Sequence, residues 1–255
     1  MFHWILRNIP RPILIRLSLW FSKIAPLLYY GNRFEDPISG KTYRRFLPYG
    51  YAGRAKRNQA LCPGSLSLER HRLLWLFLKM HTPFFKDPLS VLHLAPEQCF
   101  YKRFKSMSHL TYTTADYNSP IADIHFDLHH SPLPDQSFDV ILCNHVLEHV
   151  RDDLQCMREL FRMLKPGGWG IFQVPLDTSR QNTLEDPSIT SPEDRTRYYW
   201  QKDHVRLYGL DYPKRLESVG FKVSEHSLTD ELSEALVERY RLPKGERIYF
   251  CRRPH

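Results

Sequence analysis

Residues 125–150 read HFDLHHSPLPDQSFDVILCNHVLEHV, and residues 160–175 read LFRMLKPGGWGIFQVP. Two short, mostly apolar runs stand out, Phe138–Cys143 and Trp169–Val174, each too brief for a helix, so both read as buried strands. Before the second run, Lys165, Pro166, Gly167 and Gly168 close a helix and turn the chain tightly into the strand. The same alternation continues on either side. From Pro88 onward, strands are predicted at Ser90–Leu94, Leu110–Ala115, Asp123–Phe126, Phe138–Cys143, Trp169–Val174, Phe221–Glu225 and Arg247–Cys251, separated by helical stretches. Seven strands in that rhythm predict an α/β fold of βαβ units, a mainly parallel doubly wound sheet with helices on both faces. Ligands of such sheets bind outside the carboxyl ends of the strands, where the strand order switches.

The first strand runs into VLHLAPEQCF, residues 91–100, which lacks the glycines that let a backbone approach a nucleotide. Ala95 is the only small residue at that turn. The second strand ends at Asp116, whose carboxylate can accept both hydrogen bonds of a ribose diol or cap a loop. Within NHVLEH, residues 144–149, His145 and His149 bracket Glu148 and share a helical face. That is half of a metal site without an evident third ligand, so the segment reads as a helix start and no metal is expected. Downstream, DHVRLYG at 203–209 places His204, Arg206 and Tyr208 on one side of an extended segment. Histidine is the natural base near neutral pH.

These segments resemble class I S-adenosylmethionine-dependent methyltransferases. The resemblance is to the bacterial group with a Phe-Asp strand, a VLEHV segment (146–150) and LKPGG (164–168) before a strand ending in Pro. It covers roughly residues 89–225 and implies a Rossmann-like, seven-stranded methyltransferase sheet with S-adenosylmethionine as cofactor. Carried over position by position, it puts Leu94, Ala95, Pro96 and Glu97 beside the methionine half of the cofactor. Asp116 and Tyr117 would flank the ribose and adenine, Asp127 and Leu128 the adenine ring, and Asn144 and His145 the sulfonium. Such enzymes build a substrate lid where this chain has the polar insertion Asp177–Trp200 and the 203–209 segment. His204 and Arg206 are therefore expected at the acceptor, with His204 as general base. The cluster Arg195, Arg197, Tyr198, Tyr199 and Trp200 suggests an anionic or sugar-like acceptor; a small molecule, a lipid-linked compound or a saccharide would suit. The glycine-poor turn raises an alternative, a cofactor-binding protein that has lost catalysis.

The chain has 255 residues, 42% hydrophobic and 25% charged, the balance of a globular protein with one main core. Cys62, Cys99, Cys143, Cys156 and Cys251 show no framework spacing, which argues against a disulfide-stapled secreted scaffold and for the cytoplasm. The net charge of +8 is uneven: residues 1–80 carry 14 Lys/Arg against 3 Asp/Glu, and residues 81–255 carry 22 against 25. The stretch Ile5–Tyr30 is apolar and aromatic, but charges interrupt it too often for a spanning helix. After Pro10 and Pro12, Ile13, Leu17, Trp20 and Ile24 recur at helical steps, with Arg16 and Lys23 on a flank. An amphipathic helix is expected there, lying on an anionic membrane surface at the inner face or covering another part of the chain.

Between residues 33 and 72, two C-x-x-C knuckles would need ligands at 36, 39, 62 and 65. Those positions hold Asp36, Ser39, Cys62 and Ser65, too few soft donors for zinc, so a metal-free ribbon is expected. SLERHR at 67–72 resembles the stretch that follows a small cysteine ribbon in a bacterial methyltransferase group; residues 69–72 read as a solvated helix start. Tyr43, Phe46, Tyr49 and Tyr51 among basic residues keep a nucleic-acid-binding reading in play. The expected division is a basic amphipathic segment at 1–32, a degenerate ribbon and helix at 33–88, and the methyltransferase-like domain at 89–255.

Overall fold

The computed structural model describes residues 11–50 and 56–255; in the first ten residues of the first helix, side chains are described for Ile13, Leu17 and Trp20 only. Ile5, Pro10 and Tyr51 of the sequence reading lie outside the described residues. Contacts divide the chain into two units, Met1–Phe85 with Ser227–Glu246, and Lys86–His226 with Arg247–His255. The expected boundary near residue 88 falls close to this division. The segment 227–246, expected to stay with the sheet, groups instead with the first unit.

The first unit opens with helix α1 (Arg11–Leu28), longer than the periodicity implied. Strand β1 (Tyr30–Asp36) pairs antiparallel with β2 (Lys41–Tyr43), and β3 (Leu47–Tyr49) pairs antiparallel with β4 (Arg57–Leu61). Helix α2 (Glu69–His81) follows. The ribbon is held by polar contacts. Asp36, fully buried, accepts from the Ser39 hydroxyl at 2.6 Å and the Ser67 hydroxyl at 3.1 Å, and Ser65 donates to Ser67 at 2.9 Å. Around them Phe34, Tyr43, Phe46 and Cys62 form a small apolar core. Burial, then the Asp36 charge, push the Cys62 thiol up to about 11, so it stays protonated. A side chain at Gly64 would collide with the Tyr43 hydroxyl, which explains the glycine.

Two residues depart from the expected solvated helix start, His71 and Arg72, both of them buried. Arg72 is fully buried, and a guanidinium cannot shed its charge, so it collects acceptors. It donates to the carbonyls of Ala60, Ser67, Tyr240 and Arg241 at 2.7–3.1 Å and lies 4.8 Å from the centre of the Phe46 ring. This contact binds segment 227–246 to the ribbon.

In the second unit, strands β5 (Leu89–Leu94), β6 (Leu110–Asp116), β7 (Ile124–His125), β8 (Phe138–Cys143), β9 (Leu164–Ile171), β10 (Lys222–His226) and β11 (Ile248–Arg252) form one sheet. Its order is β10-β11-β9-β8-β5-β6-β7. The pairs β6–β5, β5–β8 and β8–β9 are parallel, and β11 runs antiparallel to both neighbours. All seven predicted strands are present. Helices α3 (Gln98–Lys105), α4 (Asp153–Met163), α5 (Pro192–Tyr199) and α6 (Tyr212–Glu217) lie between strands. Central strands are buried along their length, as Val140–Cys143 shows, because neighbours cover both faces. The LKPGG turn takes an unexpected form. The helix ends at Met163 and the strand starts at once, with the register against β8 jumping from Phe138↔Leu164 to Val140↔Trp169 and Gly167 at φ +78°. The two glycines build a bulge within the strand.

Replacing Arg72 by Met should strand several buried carbonyls and cost about 3 kcal/mol, at roughly 1–3 kcal/mol for an unsatisfied buried group. A urea titration followed by far-ultraviolet circular dichroism checks it; an unchanged midpoint would contradict the stapling role.

Candidate active site

Order reverses between β5 and β8: β6 and β7 lie to one side of β5, and β8 and β9 to the other. The carboxyl ends of β5, β6 and β8 therefore border the crevice where such sheets bind ligands. At the end of β5, Ala95 sits at φ +49°, a left-handed conformation that glycine adopts freely and that costs alanine about 1 kcal/mol. Its amide donates to Ala115 O at 2.8 Å. Glu97 is held by two neighbours, His93 Nε2 at 2.5 Å and the Asn144 amide at 3.4 Å, while His93 Nδ1 meets the Tyr112 hydroxyl at 2.8 Å. Leu94 and Pro96 are buried beside it.

At the end of β6, Asp116 Oδ1 accepts from the amides of Asn118 and Ser119 at 2.8 and 2.7 Å, which fixes the carboxylate and leaves Oδ2 without a partner among the described residues. Tyr117 is exposed. Asp127 Oδ1 accepts from the amide and ring of His129 at 2.9 and 2.6 Å, and these contacts hold its carboxyl below the usual range. Leu128 next to it is buried. At the end of β8, Asn144 is buried, with Oδ1 lacking a hydrogen-bond partner among the described residues. His145 follows at φ +56°, its amide donating to Gln173 O at 2.7 Å.

Beyond His145 the chain makes a turn rather than the expected helix start; α4 begins at Asp153. Glu148 is 1% exposed, and His145 Nδ1 donates to its Oε1 at 3.2 Å. Burial opposes ionisation of Glu148, but that hydrogen bond and the charges of His145 and His149 outweigh it and hold the pKa below the usual value. His204, also 1% exposed, lies with its ring 4.7 Å from that of His149. Its Nδ1 donates to Tyr199 O at 2.8 Å. Burial lowers its pKa against the opposing charge of Glu148, so the ring is neutral at pH 7.

His204, Arg206 and Tyr208 do share one side, and it faces inward. Arg206 is fully buried and donates to the carbonyls of Leu147, Val150 and Arg151 at 2.5–2.8 Å and to Glu185 at 2.6 Å. Tyr208 donates to Asp153 at 2.8 Å. Both therefore hold the loop in place, whereas the sequence reading put them against an acceptor. Tyr199 is likewise buried and bonded to the Asp186 backbone, so it leaves the expected acceptor-facing cluster. The insertion folds back through bridges Leu176↔Tyr208 and Leu184↔Leu207. Two residues escaped sequence reading. His93 was legible only as a polar residue within an apolar strand, and Glu148 needed His204, 56 positions away, to complete its surroundings.

Residues 103–172 match the family model described as a methyltransferase domain. The chain is 44% identical over 108 residues to a probable S-adenosylmethionine-dependent methyltransferase of Mycolicibacterium smegmatis, covering 42% of this chain and 37% of that protein. It is 31% identical over 113 residues to an arsenite methyltransferase of Aquipseudomonas alcaligenes, covering 43% and 33%. The chain thus spans about a third of the length of these relatives. Among solved structures the cyclase SpnF superposes with a TM-score of 0.53 at 15% identity, covering 93% of this chain and 96% of that one. The sheet is thus a Rossmann-like α/β sheet of the class I methyltransferase type. Over residues 103–172 the chain is similar to methyltransferase domains, and S-adenosylmethionine is the cofactor that this similarity implies.

The residues at the crevice fit that cofactor. Oδ2 of Asp116 and the orphaned, buried Oδ1 of Asn144 are acceptors, as ribose hydroxyls and a methionine ammonium require. A carboxylate–diol contact is worth roughly 1.5–3 kcal/mol, so Asp116→Ala should weaken S-adenosylmethionine binding about ten- to a hundredfold in calorimetry. Asp116→Asn, which keeps an oxygen for the turn, separates the ligand contact from loop damage. Unchanged affinity in both variants would refute the assignment.

Proposed function

We propose that the protein transfers the methyl group of S-adenosylmethionine to a small-molecule, lipid-linked or saccharide acceptor. The observation that supports this most is the adjacency at the end of β8 of Asn144, suited to the cofactor, and the Glu148–His149–His204 cluster, suited to an acceptor. The cofactor, when bound, supplies a methyl group on a sulfonium. What remains for the protein is to align the nucleophile and receive its proton. In this reading Asp116 holds the ribose. Glu97, fixed by His93 and Asn144, orients the methionine end, and Tyr117, Asp127 and Leu128 border the adenine. His204 acts on the acceptor, and Arg206 positions the loop that carries Glu148 and His149.

General-base catalysis contributes about 10²–10⁴-fold, so His204→Ala should lower turnover by about that factor with cofactor affinity nearly unchanged. Radiolabel transfer to cell-extract fractions, beside calorimetry, measures both. Collapse of cofactor binding would move His204 into the cofactor pocket. A raised acceptor KM with an intact maximal rate would reduce it to an anchor. Cofactor binding without any turnover would favour the non-catalytic alternative.

We also propose peripheral contact with an anionic membrane. On α1, Ile13, Leu17 and Trp20 recur every three or four residues and are 47%, 50% and 64% exposed, with Lys23 exposed one turn on. Among the described residues no helix is long and apolar enough to cross a membrane. Sedimentation with phosphatidylserine-containing vesicles should be measurable and should weaken with salt. Equal sedimentation with neutral vesicles, or none with either, would refute the electrostatic attraction.

A further inference from the structure

Three nitrogen and oxygen lone pairs converge beside β8 with no donor between them. His204 Nδ1 donates to the carbonyl of Tyr199, and His149 Nδ1 donates to the carbonyl of Asp203 at 3.2 Å. A carbonyl only accepts, so in both rings Nε2 is left with its lone pair when the ring is neutral. His204 Nε2 is buried without a hydrogen-bond partner among the described residues, and so is Glu148 Oε2. His149 Nε2 lies 4.0 Å from the Glu148 carboxylate. One ligand atom from each of Glu148, His149 and His204 lies within 4.8 Å of the others.

Leaving the buried acceptor atoms of Glu148 and His204 unsatisfied is unfavourable, and a cation among them would remove that cost. The surroundings are also those that metal-binding histidines need. Backbone carbonyls fix the ring tautomers, and His145 fixes the carboxylate through Oε1. Zinc–nitrogen bonds of 2.0–2.1 Å put neighbouring ligands of a tetrahedron about 3.4 Å apart, so the widest separation, 4.8 Å, must close by about 1.4 Å. His149 is the exposed member.

We propose that Glu148, His149 and His204 bind a divalent transition-metal ion of the zinc type. This runs against the expectation of no metal drawn from the sequence, and it rests on the reading of His204 as acting on the acceptor. Two imidazoles and one carboxylate suit zinc, cobalt or iron(II) and are a poor site for magnesium or calcium, which take oxygen donors. Three protein ligands leave a coordination position open, as in catalytic rather than structural zinc sites. The class of ligand it takes is a hydroxyl or thiol of the acceptor, which on binding the cation gives its proton to solvent more readily. His204 then acts on the acceptor through the ion and no longer as a base itself, since Nδ1 donates to the Tyr199 carbonyl and Nε2 is taken up by the ion.

The test uses the full chain, stripped with a chelator and dialysed against Zn²⁺, with metal content measured by elemental analysis and affinity by competition with a chromogenic chelator. One zinc per chain is expected. His149→Ala alters an exposed residue and should fold normally, Glu148→Gln keeps the size of the buried side chain, and each should weaken zinc at least tenfold. Cys62→Ala should leave zinc content unchanged, because the ribbon holds none. Co²⁺ should give visible absorption bands that His149→Ala abolishes. Failure of the unaltered chain to retain zinc, or equal retention by His149→Ala and Glu148→Gln, would overturn the site. Zinc binding without methyl transfer would leave the site standing and remove the activity. Methyl transfer at full rate in the stripped protein would do the reverse.

Discussion

Arg206 carries a charge that it cannot lose into a place that water does not reach. Desolvating a guanidinium costs several kcal/mol unless every donor finds an oxygen. The chain answers at the two terminal nitrogens with the carbonyls of Leu147, Val150 and Arg151 and the Glu185 carboxylate, while Nε, without a hydrogen-bond partner among the described residues, lies 3.9 Å from the Asp153 carboxylate. Those carbonyls belong to the backbone that presents Glu148 and His149, while Arg206 itself sits two residues beyond His204. The Val205 amide adds a bond to Glu148 O at 2.9 Å. Two stretches more than fifty residues apart are thereby fixed against each other at the end of β8. Asp153 extends the network, taking Arg215 at 2.6 Å and Tyr208 at 2.8 Å.

The sheet was legible because buried strands have few ways to look. Runs such as Val91–Leu94 and Phe138–Cys143 are short, apolar and spaced by helical stretches, and the observed strands match the predicted ones within a few residues at their ends. The exception is β9, which starts five residues early because a bulge at Gly167 keeps the chain in the ladder where a turn was expected. Nothing in local pattern distinguishes the two, since both use Pro-Gly-Gly. The grouping of 227–246 with the first unit was illegible for a different reason. It depends on a buried arginine whose acceptors lie about 170 positions away, and in sequence Arg72 resembles any charge at a helix start.

At the crevice, the strand ends were readable from topology, since Asp116 and Asn144 follow strands whose carboxyl ends border a switch point. Alternation put His204, Arg206 and Tyr208 on one side, and all three are buried. What alternation cannot report is whether that side faces solvent or the interior, and here it faces a loop that the guanidinium organises. The same blindness hid the partner of Glu148 and His149, because a cluster assembled from two segments has no spacing to read.

The ribbon of the first unit closes through Asp36, Ser39, Ser65 and Ser67 around a protonated Cys62. Closure of a zinc ribbon is a second-order event: it consumes an ion and expels protons from thiols, so its equilibrium follows free metal and acidity. Closure by serine hydroxyls on a carboxylate is first order and takes nothing from solution. This part of the molecule should reach its native form at the same rate in metal-starved and metal-replete surroundings, leaving any dependence on trace metal to the unit that holds the sheet.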